Sequence, residues 1–325
     1  MGPGDLIDDY LLVWVLLAVV AGLLVPEIAV LTGFSTPILV VMIGSVSLTL
    51  SVEQFRRIEP RALGSALVGH AAMPAVALAI ARLLDLSPAL AVGFVLLGAV
   101  TPELVSPTMT ELAGGRTALS TTTLIVTGIA SLAYVPGVLA LAFGSGIEVD
   151  TFVIVEQLFV AVVGPMTLAV GARTWKPNVV SRYDEVYPSV SALMVVLIIG
   201  GVTAANAGLV RSDVALLASV GGGVLALNAV GYLLGWVGGV REERPDRIAM
   251  ALSVGTRDFA VAAALIVAAG LPAVASLPAV AFGDRRDGNE CRSGALFRTG
   301  SVRPTAPSAS PKRRSSSVSE LSIGR

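Results

Sequence analysis

One cysteine and one histidine are all that this chain of 325 residues holds. The cysteine, Cys291, lies in the C-terminal tail, so neither a disulfide framework nor a thiolate cluster for a metal or an arsenic species can be built from it. His70 alone is no metal centre, and nothing in the sequence places a nucleophile beside it for an intramembrane hydrolase. Charge is scarce as well, at 14% of residues, far below the mixed surface of a soluble domain. No glycine-rich nucleotide loop, no nucleic-acid surface and no paired intramembrane aspartates of a sodium/proton antiporter are present. The sequence therefore predicts a protein that is not an enzyme and carries no organic cofactor.

What fills the chain instead is apolar sequence: 54% hydrophobic residues and a mean hydropathy of +0.83. Its apolar runs repeatedly approach the roughly 20 residues that a helix needs to cross a bilayer. Ten segments follow, near 10–25, 36–51, 62–84, 88–113 and 117–143, and then near 151–172, 187–209, 214–237, 247–269 and 271–283. The expectation is an all-α polytopic membrane protein in two halves, 1–144 and 145–283, in the lipid bilayer of the plasma membrane. Cytoplasmic loops carry the excess of Lys and Arg. Loops after even-numbered segments hold ten (Arg56, Arg57, Arg61, Arg116, Arg173, Lys176, Arg182, Arg241, Arg244 and Arg247), and the opposite loops hold Arg82 and Arg211. Both termini are thus expected in the cytoplasm. The absence of a basic stretch before the first apolar run predicts no signal peptide.

After Gly283 the composition changes to a Ser-, Pro- and Arg-rich tail, 284–325, expected to be disordered, with a net charge that could attract anionic headgroups. The last apolar segment, Leu271 to Gly283, holds two prolines and is short for a span. It reads either as a truncated tenth helix or as a short helix followed by a natural tail.

Two segments are interrupted at matching places in the halves, at Thr101-Pro102-Glu103-Leu104-Val105-Ser106-Pro107 and at Ser253-Val254-Gly255-Thr256-Arg257-Asp258. Backbone groups freed by a broken helix cannot face lipid, so such breaks line protein or a water-filled cavity, and paired breaks mark a transporter's binding site. Pro102 and Pro107 lack an N–H and stop the first helix. Ser106 is expected to cap the restarted helix, with Pro107 in its first turn, leaving a positive end suited to an anion, while the upstream half-helix presents carbonyls suited to a cation. Gly255 is expected to be the flexible point of the second break. Burying Arg257 and Asp258 costs about 2.5–3.5 kcal/mol each near the bilayer centre, so both should face a partner or a cavity. Arg257 is expected to approach Glu103. His70 reads as a proton relay or as a hydrogen-bonded packing residue, and Asn228 as a site residue or as an amide bridging helices.

These residues resemble the bile acid:sodium symporter family over the chain up to Gly283. Met73-Pro74 resembles its third-helix Met-Pro, and Ser106 with Met109-Thr110-Glu111-Leu112-Ala113 resembles its Ser-Asn-x-Met-Thr-x-Leu-Ala. Ala118-Leu119-Ser120, Val254-Gly255 and Asn228-x-x-Gly231-Tyr232-x-x-Gly235 extend the match. The resemblance implies two inverted five-helix repeats, a core domain moving against a panel, crossing broken fourth and ninth helices that shape ion sites, and organic anions as substrates. Among the family's sodium ligands Ser106 and Ser120 remain, but its Asn is here Pro107, its fifth-helix Thr is Leu124 and its third-helix Gln is Gly69. In the ninth helix its Glu, Gln and Asn are Ser253, Arg257 and Asp258. Pro, Leu and Gly side chains supply no oxygen and a guanidinium repels a cation, which argues against sodium coupling by the usual sites.

The reading that follows is a secondary transporter of a small organic anion by alternating access. Its expected substrate- or ion-binding residues are Glu103, Ser106, Ser120, Asn228, Ser253, Thr256, Arg257 and Asp258. Its coupling ion is sodium, or a proton through Glu103, Asp258 or His70, or there is no coupling. Arg257 is expected to replace a sodium charge or to bind the substrate anion. The alternative is a non-transporting sensor or inactive copy on the same scaffold.

Overall fold

The computed structural model describes residues 11–49, 59–144 and 151–281. Among them every regular element is helical and no strand occurs. The α-helices of seven or more residues are α1 (Leu11–Leu24), α2 (Ser35–Ser47), α3 (Pro60–Leu83), α4 (Pro88–Ala99), α5 (Ser106–Leu112), α6 (Thr117–Phe143), α7 (Thr151–Leu158), α8 (Gly164–Trp175), α9 (Val186–Ala205), α10 (Val214–Gly238), α11 (Arg244–Gly255) and α12 (Phe259–Ala268). Seven continuous helical stretches are long and apolar enough to cross a membrane, among them Arg244–Ala268 when α11 and α12 are taken together. The chain is an integral membrane protein.

Local chemistry sets the boundaries. Pro60 and Pro88 open α3 and α4, where a missing N–H costs nothing. Ser87 Oγ accepts from Leu90 N at the head of α4, and Asp213 Oδ1 accepts from Leu216 N at 2.8 Å at the head of α10. Between α7 and α8 the chain widens into a π-turn, Phe159–Val163. Pro165 follows it, lacking the N–H that a regular turn would use. The second expected span, near 36–51, is preceded by a 3-10 helix, Pro26–Phe34, and the tenth is a 3-10 turn, Ala273–Ser276, with helix resuming at 277–281. The tail 284–325 with Cys291, the loop residues Arg56 and Arg57, and the end of the tenth segment lie outside the described residues.

The helices form two groups. In one, α9 lies against α1, the 3-10 helix and α2, and α2 lies against α8. Arg173 closes this group with a bidentate pair to Asp184 (2.6 and 3.0 Å) and a bond to the Leu48 carbonyl beyond α2. In the other, α3 meets α4, α10 and α11, and α11 meets α5, α6 and α10. At its end Arg116 N donates to the Pro245 carbonyl, and the Arg116 side chain pairs with Asp246 and Glu243. The Asp246 hydrogen bond raises the Arg116 pKa above the usual arginine value. Between the groups lies α12, in contact with α2, α7 and α9 on one side and α4 on the other.

Candidate functional site: the crossing of two broken helices

The helix running from Arg244 ends at Gly255 and restarts at Phe259, and the one from Pro88 ends at Ala99 and restarts at Ser106. The chain leaves each upstream half through an extended residue, Val100 (φ −65°, ψ 161°) and Thr256 (φ −83°, ψ 147°). The two breaks touch through their backbones, because Asp258 N donates to the Thr101 carbonyl at 3.0 Å. This contact gives two freed peptide groups to each other, and both residues are buried. Thr101, Pro102, Glu103, Ser106, Pro107, Ser120, Ser253, Thr256, Arg257 and Asp258 are all buried there.

Three hydroxyls from three helices meet in series. Ser106 Oγ on α5 lies 3.0 Å from Ser120 Oγ on α6, and Ser253 Oγ on α11 donates to Ser120 Oγ at 3.1 Å. Each of the three serines is fully buried. The expected cap is not what Ser106 provides. It is the first residue of α5, Val105 precedes it as cap residue, and no side-chain cap bond forms. Its hydroxyl points instead to Ser120, while its carbonyl accepts from Thr110 Oγ1 at 2.8 Å. The cap that does form belongs to Asp258, whose Oδ1 accepts from Val261 N at 2.9 Å at the head of α12.

Arg257, fully buried, lies between two acceptors that sequence reasoning did not assign to it. Its Nη1 is 2.6 Å from His70 Nδ1 on α3, and its Nη2 donates to the Val254 carbonyl at 2.7 Å. The expected partner Glu103 sits in the facing break, but these hydrogen bonds go to His70 and Val254. The imidazole nitrogen facing the guanidinium must be unprotonated to accept, and the Ala99 backbone at the end of α4 is the ring's second partner. Tyr134, which the sequence did not single out, has its ring centre 6.3 Å from that of His70 and donates to the Ala71 carbonyl.

Gly255 is the last residue of α11, and its missing side chain leaves room for α10. A Cβ there would overlap the Tyr232 ring of α10. Asn228 of α10 donates from Nδ2 to the Gly255 carbonyl at 3.3 Å, and Thr256 turns back so that its N and Oγ1 both donate to the Leu252 carbonyl (2.9 and 2.8 Å). Tyr232 was visible in the sequence only inside the spacing Asn228-x-x-Gly231-Tyr232-x-x-Gly235.

Comparison with known proteins finds similarity over most of the chain. Residues 36–213, more than half of the chain, match the model of the Sodium Bile acid symporter family. A Bacillus subtilis (strain 168) protein named as the uncharacterized sodium-dependent transporter YocS is 25% identical over 259 residues, 78% of this chain and 80% of that one. Two rice (Oryza sativa subsp. japonica) proteins are named as probable chloroplastic sodium/metabolite cotransporters. BASS3 is 26% identical over 68% of this chain and BASS2 27% over 76%, and the matches span 53% and 60% of their own lengths.

Proposed function

The chain belongs to the Sodium Bile acid symporter family, and from that premise we propose that it is a secondary transporter that moves an organic anion with sodium as coupling ion. The observation that carries this reading is the trio Ser106, Ser120 and Ser253, three buried hydroxyl oxygens from three helices beside the two breaks. Sodium is a hard cation that takes oxygen ligands, and the trio supplies them in the place where Pro107, Leu124 and Gly69 supply none. The change of the family's Glu to Ser253 therefore leaves an oxygen at the cluster. The relatives reported above are all named as transporters, which weighs against a sensor or an inactive copy.

Alternating access rests on the division into two helix groups with α12 between them. One group rocks against the other and opens the crossing to either side. Two inverted five-helix repeats, 1–144 and 145–283, fit the correspondence of α4 and α11. Both have twelve residues, both begin at or beside a proline, and both end in an extended residue. The excess of basic residues in the even loops supports both termini in the cytoplasm of a plasma-membrane protein. The anion sits where the two breaks cross, with Glu103, Thr256 and Asn228 shaping the cation side, while the Asp258 carboxylate holds the head of α12.

Thermal unfolding in detergent tests the ion assignment without knowledge of the solute. Sodium chloride should raise the midpoint over potassium chloride at equal concentration, because a ligand of the native state stabilises it. Ser120→Ala, which removes the central hydroxyl, should abolish that difference. Equal midpoints in the two salts for the intact protein would count against sodium. Sodium-gradient-driven uptake of the bile acid taurocholate and of a short carboxylate into proteoliposomes then tests the anion.

A further inference from the structure

We propose that Arg257 is a tethered cation. Its guanidinium fills, from within the chain, the cation position that the C-terminal end of α11 would otherwise offer to a dissolved ion. The last four carbonyls of a helix have no intrahelical donor and carry about half a negative charge together. In water they are hydrated, but inside a membrane they need donors from protein or an ion. At the end of α11 the Leu252 carbonyl takes the N and Oγ1 of Thr256, and the Gly255 carbonyl takes Asn228. The Val254 carbonyl takes Arg257 Nη2 at 2.7 Å, so a full positive charge stands where the helix end favours one.

The same guanidinium reaches the other broken helix through His70. Nη1 donates to His70 Nδ1 at 2.6 Å, which leaves the ring's proton on Nε2, and the ring's second partner is the Ala99 backbone where α4 ends. One cation thus serves the carbonyl ends of both broken helices, one directly and one through the imidazole. The acceptors of these bonds are uncharged, and Nε, although buried, has no hydrogen-bond partner among the described residues. A guanidinium fully exposed to solvent competition would have no reason to remain in such a place. This one is fully buried, 187 residues from the histidine that holds it. A covalently held charge cannot dissociate on either side of the membrane. It returns with the chain in every cycle, so the chain needs one dissolved cation fewer than a crossing with an uncharged side chain at 257.

The meaning of this charge for coupling rests on the transport reading above, but its presence is testable without transport. The full chain in detergent is compared as intact protein, Arg257→Ala, Arg257→Gln and Arg257→Lys. Unfolding is followed while methylguanidinium chloride, sodium chloride or, as control, choline chloride is titrated at millimolar concentrations and constant ionic strength. Arg257→Ala should unfold at lower temperature and recover about 2–4 °C with methylguanidinium. The intact protein and Arg257→Lys should show no such increment. Arg257→Gln should show a sodium response beyond that of the intact protein, because its neutral side chain leaves the carbonyl end open to an ion. The proposal is overturned if neither neutral variant gains cation-specific stabilisation, or if the intact protein gains as much from methylguanidinium. Should Arg257→Ala not fold, the excess sodium response of Arg257→Gln decides alone. Failure of sodium to stabilise the intact protein together with rescue of Arg257→Ala would refute the sodium assignment and leave the tethered cation standing.

Discussion

Asp258→Ala is expected to leave little folded protein, whereas Asp258→Asn should fold and unfold within a few degrees of the parent. Asp258 is fully buried at the head of α12, where its Oδ1 accepts from Val261 N at 2.9 Å. On a water-exposed helix the loss of such a cap costs about 0.5–2 kcal/mol, because water replaces the carboxylate. Here the freed N–H lies in a membrane interior, and an unsatisfied backbone group there costs on the order of several kcal/mol. Other N–H groups of the turn keep their partners in either variant: Phe259 N donates to the Arg257 carbonyl and Ala262 N to the Asp258 carbonyl. The contact from Asp258 N to the Thr101 carbonyl is also backbone, so neither variant removes it directly. The effect therefore isolates the side-chain acceptor. Asparagine keeps an oxygen at the cap, loses the charge and puts an amide NH2 in place of the second carboxylate oxygen. Detergent-solubilised yield and unfolding midpoint measure both variants. Similar midpoints for alanine and asparagine would mean that the charge, not the cap, is what α12 needs.

The positions of the breaks were legible because proline writes itself into the backbone. Pro102 and Pro107 remove N–H groups, and the helix from Pro88 stops before the first and restarts beside the second. Who serves the freed groups was not legible. Ser106 before Pro107 has the spelling of a cap, yet its hydroxyl finds Ser120, because α5 and α6 are brought together by contacts that local sequence does not encode. Opposite charge pointed Arg257 towards Glu103, and nothing in the sequence pointed to the imidazole on α3 that its Nη1 meets. Ser253 read as a binding residue where the family has a carboxylate, but which oxygens it joins was not legible. Only with α5, α6 and α11 assembled does it stand as the third oxygen of a cluster. The close approach at Gly255 was not legible for a related reason. Absence of a Cβ permits unusual torsions or close approach, and the chain alone does not say which of the two is used.

That close approach carries the second large effect, expected for Gly235→Val. The small residues of α10 let its backbone lie against that of α11. A Cβ on Gly231 would sit 2.8 Å from the Val254 carbonyl oxygen and 2.9 Å from the Gly255 Cα. On Gly235 it would overlap the Met250 carbonyl oxygen and come within 2.6 Å of the Ala251 Cα. These are backbone atoms, which cannot turn aside as a side-chain tip can, so the helices must separate. Overpacking of this kind costs about 1–3 kcal/mol or more. The displaced helix carries Ser253 and the carbonyl end that holds Arg257, so the sodium-dependent rise in unfolding midpoint should disappear along with stability. Gly222 is the control within the same helix, because a Cβ there meets nothing within 4 Å. Gly222→Ala should be neutral or stabilise by up to about 1 kcal/mol, through the lower helix propensity of glycine. Comparable losses at both positions would trace the effect to glycine content rather than to contact with α11. A loss confined to Gly235 would tie the ion site to the spacing of small residues on a helix that supplies none of the three clustered hydroxyls.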